Sequence, residues 1–150
     1  MRLVIQRVKE ASCTVNGAIT GQIAQGFMVL VGMGIGDDRE TVKKMATKLS
    51  KLRIFEDDNN KMNLDIYAVG GSILSISQFT LYADAAKGNR PSFTDAMKGP
   101  EANELYEFFN SCLEELGLKV EKGVFGADMA IKLWNDGPVT VILDSKELFK

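Results

Sequence analysis

The hydrophobic pattern divides the chain into short β-rich runs separated by two stretches of helical period. Leu3 to Val8 is rich in β-formers, and Ser12 to Val15 alternates apolar with polar positions. Asn16-Gly17 then separates that run from Ala18 to Ala24. Asn-Gly between two such runs predicts a tight hairpin, because both residues tolerate positive φ. Gln25-Gly26 marks a second turn, and Phe27 to Val31 reads as a buried strand running into glycines 32, 34 and 36. Asp37-Asp38 is placed to cap a helix from about Arg39 to Leu52, where Val42, Met45, Ala46, Leu49 and Leu52 share one face. Arg53-Ile54-Phe55 predicts a short strand, Glu56 to Lys61 a polar turn, and Gly70-Gly71 leads into a strand from Ser72 to Phe79. A polar loop spans about Ala83 to Gly99, long enough in a compact domain to suggest function or mobility. Pro100 suits the first turn of a second helix. Leu105, Phe108, Phe109, Cys112, Leu113 and Leu116 form its apolar face, and Gly117 stops it. Lys119 to Val124, Met129 to Trp134 and Val139 to Leu143 complete the chain as three strands, the last two joined by a turn at Asn135-Asp136-Gly137-Pro138. The expected fold is a single α+β domain over residues 1–150, an antiparallel, barrel-like sheet with two main helices on one side.

Composition narrows the chemistry. The chain has 150 residues and no histidine, so Ser-His-Asp and Cys-His catalysis and His-ligated metals are excluded. Cys13 and Cys112 are too far apart in sequence for a Cys-x-x-Cys site and read as buried, inert thiols. No ligand cluster points to a metal and no motif to a cofactor. The net charge of −2 argues against a domain held on nucleic acid by a broad basic surface; contact with RNA would be local. No run approaches a membrane span, and the cysteine usage fits the cytoplasm. The glycine run at 32–36 lacks the Gly-Lys-Ser/Thr ending of a phosphate loop and reads as a strand end.

Two segments are unusual. Ser77-Gln78-Phe79-Thr80-Leu81 sets two hydroxyls beside an amide and an aromatic ring just before the long loop. By itself it reads as a strand end; its functional reading is a set of N–H and hydroxyl groups facing a substrate carbonyl. In Asn135-Asp136-Gly137-Pro138, proline directly after glycine removes a donor and raises the frequency of a cis bond. Residue by residue this too reads as a plain turn.

Taken together with Ile5-Gln6-Arg7-Val8, Ala11-Ser12, Arg53-Ile54-Phe55, Lys61-Met62-Asn63-Leu64, Gly70-Gly71-Ser72, Arg90-Pro91-Ser92-Phe93, Phe125-Gly126-Ala127-Asp128-Met129 and Val139-Thr140, these segments closely resemble the bacterial and eukaryotic type of D-aminoacyl-tRNA deacylase over nearly the full length. The resemblance implies hydrolysis of the ester between a D-amino acid and the terminal ribose of tRNA, with no cofactor. It implies a homodimer with shared active sites, in which Gly137 and Pro138 of one subunit, as a Gly-cisPro element, enter the site of the other. Their carbonyl oxygens would hold the substrate ammonium and fill the space an L side chain needs. Arg7 would brace that element. Ser77, Gln78, Phe79 and Thr80 would form the catalytic segment, with backbone N–H groups stabilising the oxyanion and the ribose 2′-hydroxyl relaying the proton. Phe125 and Met129 would take the terminal adenosine, and Lys87, Arg90 and Lys98 would approach acceptor-stem phosphates. Glycyl-tRNA would be a side substrate. Two other readings remain open: a hydrolase of other activated aminoacyl esters with Thr80 as nucleophile, and a noncatalytic module that binds the tRNA end.

Overall fold

The computed structural model describes Met1–Lys150 as one α+β unit. Strand β1 is Arg2–Val15, longer than either run its pattern suggested. The hairpin at Asn16-Gly17 forms as expected, with φ of 49° and 79°, and returns the chain as β2 (Ala18–Ile23). Gly26 then turns the chain into β3 (Gly26–Gly32), which continues along the same edge of β1. Helix α1 (Arg39–Ser50) begins where the Asp38 carboxylate accepts the Thr41 N–H at 2.8 Å. Its face of Val42, Met45, Ala46 and Leu49 is buried. The ribbon of β4 (Phe55–Glu56) and β5 (Met62–Leu64) follows. Then come β6 (Ser72–Ser77), a 3₁₀ turn (Phe79–Tyr82), α2 (Gly99–Glu115), β7 (Val120–Lys122), β8 (Ala130–Asp144) and α3 (Ser145–Leu148).

The structure corrects three details of the expected sheet. It is mixed: β6 lies parallel to β3 and to β7, while β1 pairs antiparallel with β2, β3 and β8. The strand expected to reach Phe79 ends at Ser77, where the chain tightens into the 3₁₀ turn. The expected C-terminal hairpin is absent: Asn135 to Pro138 lies inside the single strand β8. The register against β1 shifts between Gln6 and Val8 and again between Val8 and Glu10, so the Gly-Pro segment is a bulge rather than a reversal.

The sheet curls until β2 approaches β7, where the Thr20 hydroxyl donates to the Lys122 carbonyl at 3.2 Å. Its two faces bury different sets, as the two-residue period of a strand requires. Leu3, Ile5, Phe27, Val29 and Ile73 pack with α1 and α2. Val8, Cys13, Met28, Leu74 and Ile76 fill the barrel side. Both cysteines are free and buried. Strand β8 covers one edge of β1 and leaves its own far edge unpaired. No helix is long and apolar enough to cross a membrane.

The glycine run fills a packing role. A Cβ at Gly34 would sit 2.6 Å from the Tyr82 ring, and Gly34 N–H donates to Asp37. Tyr82 is thereby sealed against the loop, with the Arg2 guanidinium 4.6 Å from its ring centre. Burial, then the nearby Asp37 and Asp144 charges, raises the Tyr82 hydroxyl above its ordinary pKa. Burial raises Tyr106 as well. The folded state therefore keeps protons that the unfolded chain releases near pH 10, so stability is full below that pH and falls as pH rises above it. Denaturant midpoints measured from pH 8 to 11.5 are expected to drop above pH 10, and Tyr82→Phe to flatten the drop.

Candidate active site

The strand end at Ser77 is built by β3. Gln78 N–H donates to the Val31 carbonyl at 2.8 Å, which completes the parallel pairing and halts the strand. Leu81 N–H then returns to the Gln78 carbonyl at 3.3 Å, closing the 3₁₀ turn. The first N–H groups of such a turn have no acceptor within it. Here they belong to Phe79 and Thr80, and neither has a partner elsewhere in the chain. The turn is held from below by the Arg2 guanidinium, which donates to the Leu81 carbonyl at 2.9 Å while its Nε meets Asp144 at 2.7 Å.

A cavity of about 590 Å³ opens beside these groups. Ser77, Gln78 and Phe79 form one wall and Phe125 to Met129 another, with Met33, Met97 and Tyr106 among the apolar residues between them. Five of the expected site residues thus meet in one place: Ser77, Gln78, Phe79, Phe125 and Met129. Thr80 lies outside the lining and is exposed. Its hydroxyl accepts a hydrogen bond from the Gln78 amide nitrogen. No carboxylate, amine or other base is hydrogen-bonded to it.

The long polar loop is pinned rather than free. Asp84 and Ser92 exchange backbone hydrogen bonds at 2.8 Å each, Met97 N–H reaches the Met33 carbonyl at 2.9 Å, and Ile35 N–H reaches Asp95 at 3.0 Å. These ties bring Phe93 edge-on to Phe79, with ring centres 5.1 Å apart. Lys98 reaches the cavity; Lys87 and Arg90 stay exposed on the loop. Residue-level reading assigned no role to Phe93, Met97 or Tyr106. Phe93 had a signal, since it ends the Arg90-Pro91-Ser92-Phe93 segment. Tyr106 had none beyond its place in an apolar helix.

Gly137, Pro138 and Arg7 lie apart from this cavity. The Gly137–Pro138 peptide is cis, and both residues are exposed on β8. Arg7 is buried behind them, its side chain 5% exposed. Its guanidinium donates to the Asp136 carbonyl at 3.1 Å and the Ile54 carbonyl at 2.7 Å. Carboxylates of Asp136 and Glu56 lie 3.5 and 3.7 Å from it. A buried guanidinium needs such a set of acceptors, and in satisfying itself it fixes the base of the bulge. No group of three or more His, Cys, Asp or Glu side chains is arranged to hold a metal.

The sequence profile of the family described as D-Tyr-tRNA(Tyr) deacylase matches residues 4–144. The chain belongs to that family. Two relatives named D-aminoacyl-tRNA deacylase bear this out. The protein of Deinococcus radiodurans is 56% identical over 144 residues, covering 96% of this chain and 99% of its own. That of Lactobacillus gasseri is 54% identical over the same length and shares. Among solved structures, one described as a c-Myc DNA unwinding element binding protein superposes with a TM-score of 0.90 at 37% identity, covering 96% of this chain and 98% of that one. Another, described as a probable eukaryotic D-amino acid tRNA deacylase, gives 0.82 at 17% identity, covering 95% and 97%, and supports the shared fold. Both the strand-end segment at Ser77 and the Gly-Pro bulge at Gly137 lie within the residues that the family profile matches.

Proposed function

We propose that the protein hydrolyses the ester of D-aminoacyl-tRNA at a site completed by a second copy of the chain, and that it does so without a side-chain nucleophile. Deacylase activity on D-aminoacyl-tRNA rests on family membership over nearly the whole chain. The mechanism rests on one observation: the N–H groups of Phe79 and Thr80 are unpartnered, and Phe79 lines the same cavity as Phe125 and Met129, with Thr80 next to it in the chain.

The terminal adenine enters the apolar cavity against Phe125 and Met129, where stacking contributes about 1–3 kcal/mol. Its ribose then brings the ester carbonyl toward Phe79 and Thr80. Water attacks the carbonyl carbon, and the N–H groups hold the negative charge that develops on oxygen. The C–O bond to ribose breaks, the neighbouring 2′-hydroxyl relays a proton to the leaving oxygen, and free D-amino acid and tRNA result. An aminoacyl ester is already activated, so positioning and charge stabilisation suffice. Thr80 is a poor nucleophile here because a threonine hydroxyl needs a base, and its hydroxyl meets only the Gln78 amide.

Handedness is assigned to Gly137 and Pro138 of the partner copy. They face solvent on a strand whose outer edge is unpaired and whose Trp134 and Ile142 are 58% and 67% exposed. A long open edge with exposed apolar side chains favours association with another chain. Delivered across such an interface, the two backbone carbonyls bind the substrate ammonium and occupy the L side-chain position. Glycyl-tRNA has no side chain to exclude and is hydrolysed too. A substrate of this kind places the enzyme in the cytoplasm.

The test pairs D-tyrosyl-tRNA with L-tyrosyl-tRNA, using metal-free protein. Loss of the D ester alone is expected. Loss of both would sink the handedness filter. Loss of neither, with a folded dimer that still binds tRNA, would favour a noncatalytic nucleic-acid module.

A further inference from the structure

We propose that Tyr106 is a positioning residue for the base-binding end of the cavity, acting through the backbone carbonyl of Ser75. This rests on the placement of the adenosine against Phe125 and Met129. Ser75 sits in the middle of β6 and is fully buried. Its carbonyl accepts two hydrogen bonds from different parts of the chain. The Tyr106 hydroxyl, from α2, donates at 2.8 Å, and the Gly123 N–H donates at 3.1 Å.

Each donor leads to the base site. Tyr106 is 1% exposed, lines the cavity, and has its ring centre 6.2 Å from that of Phe125. Gly123 opens the segment that carries both Phe125 and Met129. A Cβ there would lie 2.5 Å from the Met129 sulfur and 3.1 Å from Ile76, so the chain passes Met129 closer than any other residue would permit. One carbonyl therefore fixes the ring behind Phe125 and the backbone beside Met129. Phe125 and Met129 are themselves only partly covered, at 37% exposed and half-buried. Their spacing depends on what lies beneath them, and Ser75 is where those supports converge. Without the hydroxyl, the Tyr106 ring keeps its volume but loses its rotational anchor.

Tyr106→Phe tests this. The KM for D-tyrosyl-tRNA is expected to rise about 5-fold, the equivalent of one hydrogen bond's net contribution. The kcat should stay within about 2-fold, since the N–H groups of Phe79 and Thr80 are untouched. A purely structural role would change melting temperature without this split between KM and kcat. Phe125→Ala is the reference. If it raises KM and Tyr106→Phe does not, the Tyr106 proposal is wrong. If Phe125→Ala itself leaves KM unchanged, the adenosine placement beneath the proposal fails. Amide exchange in the unmodified protein gives a check that needs no variant. Saturating adenosine 5′-monophosphate should slow exchange at Gly123, and unchanged exchange there would overturn the coupling even if Tyr106→Phe proved unfolded.

Discussion

Gly137→Ala is expected to lower kcat/KM on D-tyrosyl-tRNA by at least about 100-fold while leaving a folded protein. Gly137 has φ of +129°, a region that an L side chain rarely adopts. An added Cβ would lie 2.9 Å from both the Val139 side chain and the Val139 nitrogen, and 3.3 Å from the Arg7 guanidinium. Val139 is branched and tied into β8, and Arg7 is buried and held by two carbonyls, so neither yields easily. The bulge must shift instead. A displacement near 1 Å at a positioning group costs about 10²-fold in rate. The strain is local, about 1–3 kcal/mol, and β1–β8 pairing on both sides of the bulge should hold the fold. Single-turnover deacylation with both D- and L-tyrosyl-tRNA reads the effect, and sedimentation of the variant checks assembly. Undiminished turnover with the D/L ratio intact would remove the bulge from the active site. Lost turnover with a monomeric protein would assign it to assembly instead.

That bulge also shows what the sequence disclosed and what it did not. Asn-Asp-Gly is strong local turn chemistry, and read locally it predicts a hairpin. It is overridden by a partner far away in sequence. β1 offers an unbroken edge from Arg2 to Thr14, and β8 follows it from Asp144 back to Ala130, absorbing the mismatch as register shifts. At Asn16-Gly17 the same chemistry does form a hairpin, because the two flanking runs are each other's partners. The parallel pairing of β3 with β6 leaves a trace in the residue pattern. Phe27 to Val31 and Ile73 to Ile76 are nearly continuous apolar or buried runs, as strands covered on both faces are. Helix α1 was legible because its cap, its period and its buried face all agree. The cavity was legible in part. Ser77, Gln78, Phe79, Phe125 and Met129 came from motif resemblance, whereas Phe93, Met97 and Tyr106 reach it through a pinned loop and a helix face. Helical period shows that a face is buried; it does not show which part of that face borders a cavity.

Phe79→Pro should be far less active than Phe79→Ala, by about 10²–10³-fold in kcat. Both variants lose the ring that meets Phe93. They differ in one donor, since proline has no N–H. Position 79 is the first residue of the 3₁₀ turn, where proline's fixed φ is favourable and no turn hydrogen bond is lost. The preceding Gln78, at φ −149° and ψ 88°, lies outside the helical region that proline disfavours in the residue before it. The fold should therefore tolerate the change, and the unfolding free energies of the two variants should agree to within about 1 kcal/mol. If the Phe79 N–H helps to hold the oxyanion, its removal costs about 2.7–4 kcal/mol of transition-state stabilisation, which is the stated rate factor. KM should move equally in the two variants, because the ring is absent from both. Thr80→Ala completes the set: it removes the hydroxyl and keeps the N–H, and most activity should survive. Equal rates for the proline and alanine variants, combined with complete loss in a folded Thr80→Ala, would reverse the assignment. The hydroxyl would then act as nucleophile, and the base that activates it would have to come from the tRNA or from the partner copy.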